Sequence, residues 1–180
     1  LDEGQVPHAL NAYLPPDVVV TGAKRMGPDF HPISDALSKH YRYSLLVREF
    51  PDPLARRFAL HTKRTLDLES MERAAESLRG THDFEPFEKV GSPRSSTIRT
   101  LTQLDVDSFG PYIYMHFEGT GFLDGMARTQ AGTLMRVGGG VLAPESVSAG
   151  LARKNRAIAG PCLPAHGLSL MNVDNEEVTR

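Results

Sequence analysis

Apolar and polar residues alternate along several parts of this chain, a pattern typical of β-strands with one buried face. In residues 41–47, aromatic and aliphatic side chains occupy every second position, and Arg42 and Ser44 lie between them. A β-branched run in residues 17–25 is bounded by proline and by glycine-proline, which suits a buried strand. Strands are therefore predicted at residues 17–25, 41–47, 97–107, 111–118 and 168–173, with a hairpin turn at residues 108–110.

Helical spacing of apolar residues predicts three helices between these strands. The first covers residues 67–79, with Asp67 as its N-cap and Gly80 at its end. The second covers residues 122–137 and ends at three consecutive glycines. The third begins at Pro144, because proline is well suited to the first turn of a helix.

The order of these elements predicts an α+β fold. Strands and helices are mixed along the chain and two strands form a hairpin, so we expect a largely antiparallel sheet with helices packed on one face. Residues 56–64 and 92–96 are polar and are predicted to be loops. The chain has 180 residues, of which 40% are hydrophobic. This is enough for one ordinary core, and we assign residues 1–180 to a single domain.

The net charge is small, but the basic residues are unevenly distributed. A formal charge of -2 and an isoelectric point near 6.4 argue against a uniformly basic nucleic-acid-binding protein. Between residues 24 and 64, however, nine lysines and arginines stand against four acids. Such a stretch is either a solvated charged surface or a local patch that binds phosphate groups.

Cysteine use and hydropathy indicate an intracellular protein. The single cysteine, Cys162, cannot form an internal disulfide, and no cysteine-rich cluster surrounds it. The sequence contains no apolar run of about 18 residues and no signal-peptide pattern, so we expect neither a membrane span nor export. Because residue 1 is leucine rather than methionine, we expect the sequence to be part of a longer polypeptide.

Generic catalytic and metal-binding motifs do not assign a function. The glycines at 138–140 follow a predicted helix and lack a following Lys-Ser or Lys-Thr, which indicates a helix end rather than a phosphate loop. Asp105 and Asp107 share one face of a predicted strand and could seat a metal, although outward-facing acids are the commoner case. The seven histidines show no metal-ligand spacing.

Several short strings, in a fixed order over residues 11–173, carry a more specific signal. They are Asn11-Ala12-Tyr13-Leu14-Pro15, Lys39-His40-Tyr41-Arg42-Tyr43, Gly80-Thr81-His82-Asp83-Phe84, Met126-Ala127-Arg128, Lys154-Asn155-Arg156 and Pro164-Ala165-His166-Gly167-Leu168. Together they resemble the C-terminal region of the TruA-type tRNA pseudouridine synthases. The resemblance implies a pseudouridine-synthase-like fold, tRNA as partner, pairing as a homodimer, and neither a nucleotide cofactor nor a metal.

The resemblance also implies a reaction and two catalytic residues. Members of this family detach a uridine base from its sugar, turn it and rejoin it through carbon, after the base has left its stack. An aspartate attacks the uridine, a tyrosine packs on the base, and an arginine pairs with the aspartate. The tyrosine corresponds to Tyr41 and the arginine to Arg128. Without the resemblance, Tyr41 is interpreted as a core residue and Arg128 as a solvent-facing helix residue.

The resemblance gives the basic stretch a functional interpretation, as part of a track for RNA phosphates. The candidate RNA-binding residues are Lys39, Arg42, Arg56, Arg57, Lys63 and Arg64. For His82, Asp83 and Phe84 we expect a structural role at a helix end, with RNA contact as the alternative.

The chain departs from the family pattern at the nucleophile. The family's aspartate lies in an Arg-Thr-Asp string upstream of the matched region, and these 180 residues contain no such string. Asp124 stands where the family usually has a histidine or tyrosine, and we do not assign it as the nucleophile. Gly125 replaces a second bulky residue and is expected to weaken the predicted helix by about 1 kcal/mol relative to alanine. Ile33 stands where an arginine commonly follows Phe-His.

Three hypotheses follow from the missing nucleophile. In the first, the chain is the C-terminal region of an active synthase and is inactive by itself. In the second, it is a non-catalytic RNA-binding module derived from that family. In the third, it is a homodimerisation domain.

Overall fold

A six-stranded sheet organises the protein in a computed structural model, which describes residues 2–89 and 96–175. The strands are β1 (Ala36–Val47), β2 (Leu60–Thr62), β3 (Gly80–Asp83), β4 (Ile98–Phe109), β5 (Tyr112–Gly119) and β6 (Leu168–Asn175). The helices are α1 (Val6–Asn11), α2 (Leu68–Glu76), α3 (Met126–Gly138) and α4 (Pro144–Ala152). Short 3₁₀ turns cover Ala55–Arg57, Glu85–Phe87, Arg156–Ile158 and Ala165–Gly167.

The chain divides into two units by its internal contacts, one of which includes residues up to Asp35 and the other Ala36–Asn175. The larger unit contains the whole sheet, in the order β2-β1-β5-β4-β3, with β6 also paired with β1. The β1–β2 pairing is parallel, and the other pairings are antiparallel. This arrangement confirms the predicted α+β class and the largely antiparallel sheet.

The core lies between one face of the sheet and the helices. Along β5 every second residue is buried, and Met115 and Phe117 are fully inaccessible to solvent. Tyr43 and Leu45 of β1 join the same apolar cluster, together with residues of α2, α3 and α4. The alternation seen in the sequence therefore places Tyr43, Leu45, Met115 and Phe117 toward the helices.

The opposite face of the sheet carries a smaller apolar cluster. Leu46, Ala55 and Ala59 are buried there, and Tyr112 packs against them. Ala55 directly precedes the segment that we predicted to be a loop at residues 56–64, and Ala59 lies within it. That prediction was wrong, because this segment forms a 3₁₀ turn and then β2, which pairs with the end of β1.

The predicted strand at residues 17–25 is absent, and its residues adopt irregular structure. Val18 and Val19 are exposed. Instead of a neighbouring strand, the Asn11 side chain binds Val20: its Nδ2 donates to the Val20 carbonyl at 2.9 Å, and its Oδ1 accepts from the Val20 N–H at 2.8 Å. A β-branched run does not form a strand when no second strand supplies the backbone partners.

The predicted helices exist, with revised bounds. Asp67 caps α2 by accepting a hydrogen bond from the Ser70 N–H at 3.2 Å. Helix α3 begins at Met126 rather than at residue 122, because Gly125 has a φ of +71°, a left-handed conformation outside the helix. Gly125 therefore does not weaken a helix interior, contrary to our expectation. Most of the predicted loop at residues 92–96 lies outside the described residues.

The hairpin and the third helix agree with their predictions. Phe109 and Tyr112 pair at the end of the β4–β5 ladder, and Gly110 adopts a φ of +57° between them. Val147 and Leu151 of α4 are buried. In the described part of the chain, no helix is both long and apolar enough to cross a membrane.

Candidate active site

A cleft with a volume of about 270 Å³ opens where β1, β6 and the start of α3 meet. The residues that line it are Tyr41, Phe122, Leu123, Asp124, Gly125, Met126, Ala127, Arg128 and Leu168. Tyr41 and Arg128, which are far apart in the sequence, thus lie in one cleft. Asp124, which we set aside as a nucleophile, lines the same cleft with an exposed side chain.

Tyr41 is half-buried and forms one wall of the cleft. Its ring meets the Phe122 ring edge to face, with the ring centroids 5.0 Å apart and the planes at 84°. By contrast Tyr43, two residues further along β1, is fully buried. The two tyrosines share a face of the strand, but only Tyr41 combines partial exposure with a place in the cleft.

Arg128 lies in the first turn of α3 and is half-buried. Its Nε donates to the Leu163 carbonyl at 2.5 Å, and the Leu163 N–H donates to the Arg128 carbonyl at 3.3 Å. A guanidinium has five N–H donors, so four remain on the two terminal nitrogens after Nε is engaged. Arg128 is therefore held at its Nε and retains the donors that suit a carboxylate.

Tyr43 connects the core to the segment that holds Arg128. Its hydroxyl donates to the Pro164 carbonyl at 2.8 Å. Burial raises the pKa of Tyr43 above its ordinary value, and the positive charge of Arg128 only partly opposes this shift. The hydroxyl therefore stays protonated at neutral pH and remains a hydrogen-bond donor. A Cβ at Gly167 would lie 2.6 Å from Cζ of this ring, so a side chain at this position would require Tyr43 to move.

The six candidate RNA-binding residues do not form one cluster. Lys39 shares the Tyr41 side of β1, whereas Arg42 lies on the opposite side, with its Cζ 4.9 Å from the Tyr114 ring centroid. Arg56, Arg57, Lys63 and Arg64 are exposed. Lys63 follows β2, whose Thr62 pairs with Val47, about 20 Å along β1 from Tyr41. Its Nζ forms an ion pair with Glu49 at 3.1 Å.

The string around His82 contacts the Lys154-Asn155-Arg156 string of the resemblance. The His82 Nε2 lies 2.7 Å from the Arg79 carbonyl, just beyond the end of α2. Phe84 is fully buried. Lys154 Nζ forms an ion pair with Asp83 at 2.6 Å, and Arg156 donates to the Glu88 carbonyl at 2.7 Å. These contacts join the string and the residues that follow it to the end of α2 and to the segment around Lys154.

The Asp83–Lys154 ion pair predicts a pH-dependent contribution to stability. Hydrogen bonds from Lys154 and then from Thr97 lower the pKa of Asp83 below 3.8, and Asp83 raises the pKa of Lys154 above 10.5. A lowered carboxyl pKa adds stability above pH 3.8 that is lost as the pH falls through the folded-state pKa. A raised lysine pKa adds stability below pH 10.5 that is lost as the pH rises through the folded-state pKa.

We therefore expect Asp83→Asn to lower the unfolding temperature slightly at pH 7, since the pair is partly exposed. The difference from the parent chain should shrink below about pH 3.8, where the carboxylate becomes protonated. Thermal unfolding monitored by circular dichroism at pH 3 and pH 7 measures this difference. A deficit of equal size at both pH values would show that the ion pair is not its cause.

Asp105 and Asp107, the two acids considered as a possible metal site, each lie beside a basic side chain. Asp105 lies 2.5 Å from Nη2 of Arg79, and Asp107 lies 3.4 Å from Nε2 of His116. Burial lowers the pKa of His116, while Asp107 partly offsets this shift. Among the residues that the structure describes, no group of three or more histidine, cysteine or acidic side chains could hold a metal ion.

A largely antiparallel sheet backed by helices, with a tyrosine and an arginine in one cleft, agrees with the fold that the resemblance implied. This chain belongs to the tRNA pseudouridine synthase family, whose sequence profile matches residues 74–175.

Individual relatives narrow the class further. The chain is 43% identical over 166 residues to tRNA pseudouridine synthase A of Thermus thermophilus. The matched region covers 91% of this chain and 66% of the relative. The chain is 41% identical over 168 residues to the enzyme of the same name from Moorella thermoacetica, covering 93% and 68%. It is 43% identical over 173 residues to that of Methylobacterium nodulans, covering 96% and 68%. The chain thus spans about two thirds of the length of these relatives.

Sequence reasoning missed several parts of the cleft. Phe122 and Leu168 line it, although neither was named as a site residue from the sequence. The contact that Leu163 makes with Arg128 uses a backbone carbonyl, which is present in every residue, so no side-chain motif could have revealed it. Asp124 was considered from the sequence but was not assigned to the site, because it was predicted to lie inside a helix.

Proposed function

We propose that this chain is the part of a tRNA pseudouridine synthase that supplies the base-packing tyrosine and the carboxylate-binding arginine. The observation that carries the proposal is the cleft shared by Tyr41 and Arg128. The nucleophilic aspartate comes from outside these 180 residues. The missing Arg-Thr-Asp string and the share of each relative that the chain covers support this assignment.

In this proposal, Arg128 binds the carboxylate of the nucleophilic aspartate and keeps it ionised. Its terminal nitrogens offer four N–H donors, enough for a bidentate pair with a carboxylate. A guanidinium beside a carboxyl lowers the pKa of that carboxyl, so the aspartate stays ionised and able to attack. Because Nε is already bound to the Leu163 carbonyl, the guanidinium presents its terminal nitrogens from a fixed position.

Tyr41 acts on the base. An aromatic face stabilises an unstacked base by about 1–3 kcal/mol, without fixing its rotation in the plane. The reaction breaks the bond between the sugar C1′ and N1 of uracil and forms the bond between C1′ and C5. N1 gains the proton that C5 loses, so the reaction needs no oxidant, reductant or cofactor. A flat wall that tolerates rotation suits the step between the two bonds.

The basic residues contact separate parts of the tRNA in this proposal. Lys39 lies on the cleft side of β1 and is placed to bind phosphates near the target base. Arg56, Arg57, Lys63 and Arg64 lie toward the other end of the strand and bind a second part of the tRNA backbone. Arg42 faces the opposite side of the sheet, where it stacks on Tyr114.

The test compares this chain alone with a chimera, in which the chain replaces the matched part of the Thermus thermophilus relative. Purified chain and chimera are incubated with unmodified tRNA, and pseudouridine is measured by mass spectrometry of nucleosides. We expect the chimera to form pseudouridine and the chain alone to form none above background, because the chain lacks the nucleophile. The unmodified relative is the positive control.

Two outcomes would overturn this proposal. If the chain alone formed pseudouridine at an enzymatic rate and Asp124→Asn abolished it, Asp124 would be the nucleophile. If the chimera folded and bound tRNA but formed no pseudouridine, the chain would be the non-catalytic RNA-binding module of the second hypothesis.

Assembly is a second candidate function, favoured by one surface. Leu54 and Phe58 are exposed beside a groove of about 440 Å³, which Arg42 and Tyr114 also line. A second copy of the chain would cover these apolar side chains. Sedimentation equilibrium of the purified chain tests this role, and a monomer at high concentration would exclude it.

A further inference from the structure

We infer that Thr133 is a positioning residue for Arg128, acting through the segment of residues 159–163. The inference rests on the proposed function of Arg128 and extends it to residues outside the cleft. Thr133 lies in the middle of α3, is fully buried, and does not line the cleft.

The Thr133 hydroxyl joins the helix to this segment. Its Oγ1 donates to the Thr129 carbonyl at 2.9 Å, one turn earlier in α3. The same oxygen accepts the Gly160 N–H at 2.7 Å. One hydroxyl thus serves as donor and acceptor at once, and no apolar side chain can replace it in the second bond.

Two glycines allow the segment to lie directly on the helix. A Cβ at Gly132 would be 2.1 Å from the Pro161 carbonyl oxygen, and a Cβ at Gly160 would be 2.3 Å from the Gly132 carbonyl carbon. Both distances are far shorter than any real Cβ contact. The two backbones are therefore in direct contact, with no side chain between them. This contact sets the distance between the segment and α3. Arg136 adds a third link by donating to the Ala159 carbonyl at 3.3 Å.

The far end of the segment is tethered as well. The Tyr43 hydroxyl binds the Pro164 carbonyl, and the Leu163 side chain is buried. The Leu163 carbonyl lies between these two anchors, the Thr133 bond at Gly160 and the Tyr43 bond at Pro164. It is this carbonyl that accepts the Arg128 Nε–H at 2.5 Å. The direction of the guanidinium thus depends on a carbonyl whose position is set from both sides.

This arrangement matters because a free arginine side chain has many rotamers. Holding it in one orientation before the substrate arrives removes an entropic cost from the productive complex. If the Thr133–Gly160 bond is lost, the segment gains freedom and the Leu163 carbonyl no longer fixes Nε. Arg128 stays in the chain but loses its orientation.

The test uses the 180-residue chain and two variants, Thr133→Val and Thr133→Ser. Valine keeps the shape of the side chain and removes the hydroxyl, whereas serine keeps the hydroxyl. The readout is the rate at which the Arg128 Nε–H exchanges with solvent, measured by ¹⁵N NMR. We expect exchange to become about tenfold or more faster in Thr133→Val and to stay within about twofold of the parent in Thr133→Ser.

The Arg79 side chain provides an internal control. Its Nε donates to the Leu104 carbonyl at 3.1 Å, on a different part of the sheet. Its exchange rate should be unchanged in both variants. Unchanged Arg128 exchange in Thr133→Val would overturn the inference, and so would equal acceleration in the valine and serine variants.

If Thr133→Val also accelerates exchange at the Arg79 Nε–H, that variant is globally destabilised. The exchange rate of the Arg128 Nε–H is then measured in Tyr43→Phe instead. Phenylalanine keeps the ring and removes the tether to Pro164, so we expect faster exchange at Arg128 alone. Unchanged Arg128 exchange in Tyr43→Phe would then overturn the inference.

In the chimera, Thr133→Val should lower kcat with little change in KM, and Thr133→Ser should restore it. The activity of Arg128→Ala in the chimera separates the inference from the proposed function. Arg128→Ala activity equal to the parent would refute the catalytic role of Arg128 while leaving the exchange result intact.

Discussion

Replacing Arg128 by alanine in the chimera is expected to reduce kcat/KM for pseudouridine formation by a factor of about 10²–10³. The loss follows from the position of Arg128 in the cleft, with Nε bound to the Leu163 carbonyl and four N–H donors left for a carboxylate. Steady-state kinetics on a tRNA transcript, with tritium release from C5 of uridine as the signal, measures the effect.

Arg128→Lys is the matched control for charge. Lysine keeps the positive charge but lacks the planar fork and the Nε–H that binds Leu163, so we expect partial activity between alanine and the parent. Equal activity of lysine and arginine would mean that charge alone suffices and that the bidentate geometry has no role. Full activity of the alanine variant would remove Arg128 from the mechanism.

Phe117→Ala is expected to lower the free energy of unfolding by about 3–5 kcal/mol. Phe117 is fully buried in β5, opposite Tyr41 of β1 and Leu104 of β4 in the strand register. Truncation removes a large apolar side chain from the middle of the sheet and leaves a cavity. Since small proteins are stable by only about 5–15 kcal/mol, this one change removes a large part of the total.

Phe109→Ala is the control for residue type. Phe109 ends β4 in the same hairpin but is 79% exposed. Its replacement should change stability by no more than about 0.5 kcal/mol. Urea denaturation followed by circular dichroism gives both values. Similar losses for the two variants would contradict the assignment of the core to the Phe117 face of the sheet.

Local pattern predicted most of the secondary structure, because a strand or helix with one buried face has apolar residues at its own period. The alternation in β1 and the helical spacing in α2 both corresponded to real elements. The prediction failed where the outcome depended on a partner. Residues 17–25 had strand composition but no adjacent strand, whereas residues 60–62, within a polar stretch, became β2 because the end of β1 offered one.

The candidate site was predicted only in part. Tyr41 and Arg128 were named from the resemblance, and the structure places both in one cleft. The resemblance also suggested one basic track, yet Lys39 and Arg42 are adjacent in the predicted set and lie on opposite sides of β1. Side chains on a strand alternate between faces, so nearness in the sequence did not imply a common surface.

The sequence by itself determined the family, the α+β class and the identity of the two cleft residues, because these depend on residue types in a fixed order. Tertiary structure alone decided what surrounds them: the Leu163 carbonyl on Arg128, the close approach of Gly132 and Gly160, and the Thr133 hydroxyl between helix and segment. Hydrogen bonds to backbone groups and close contacts between backbones cannot be predicted from the order of residue types. They arise only when distant segments meet.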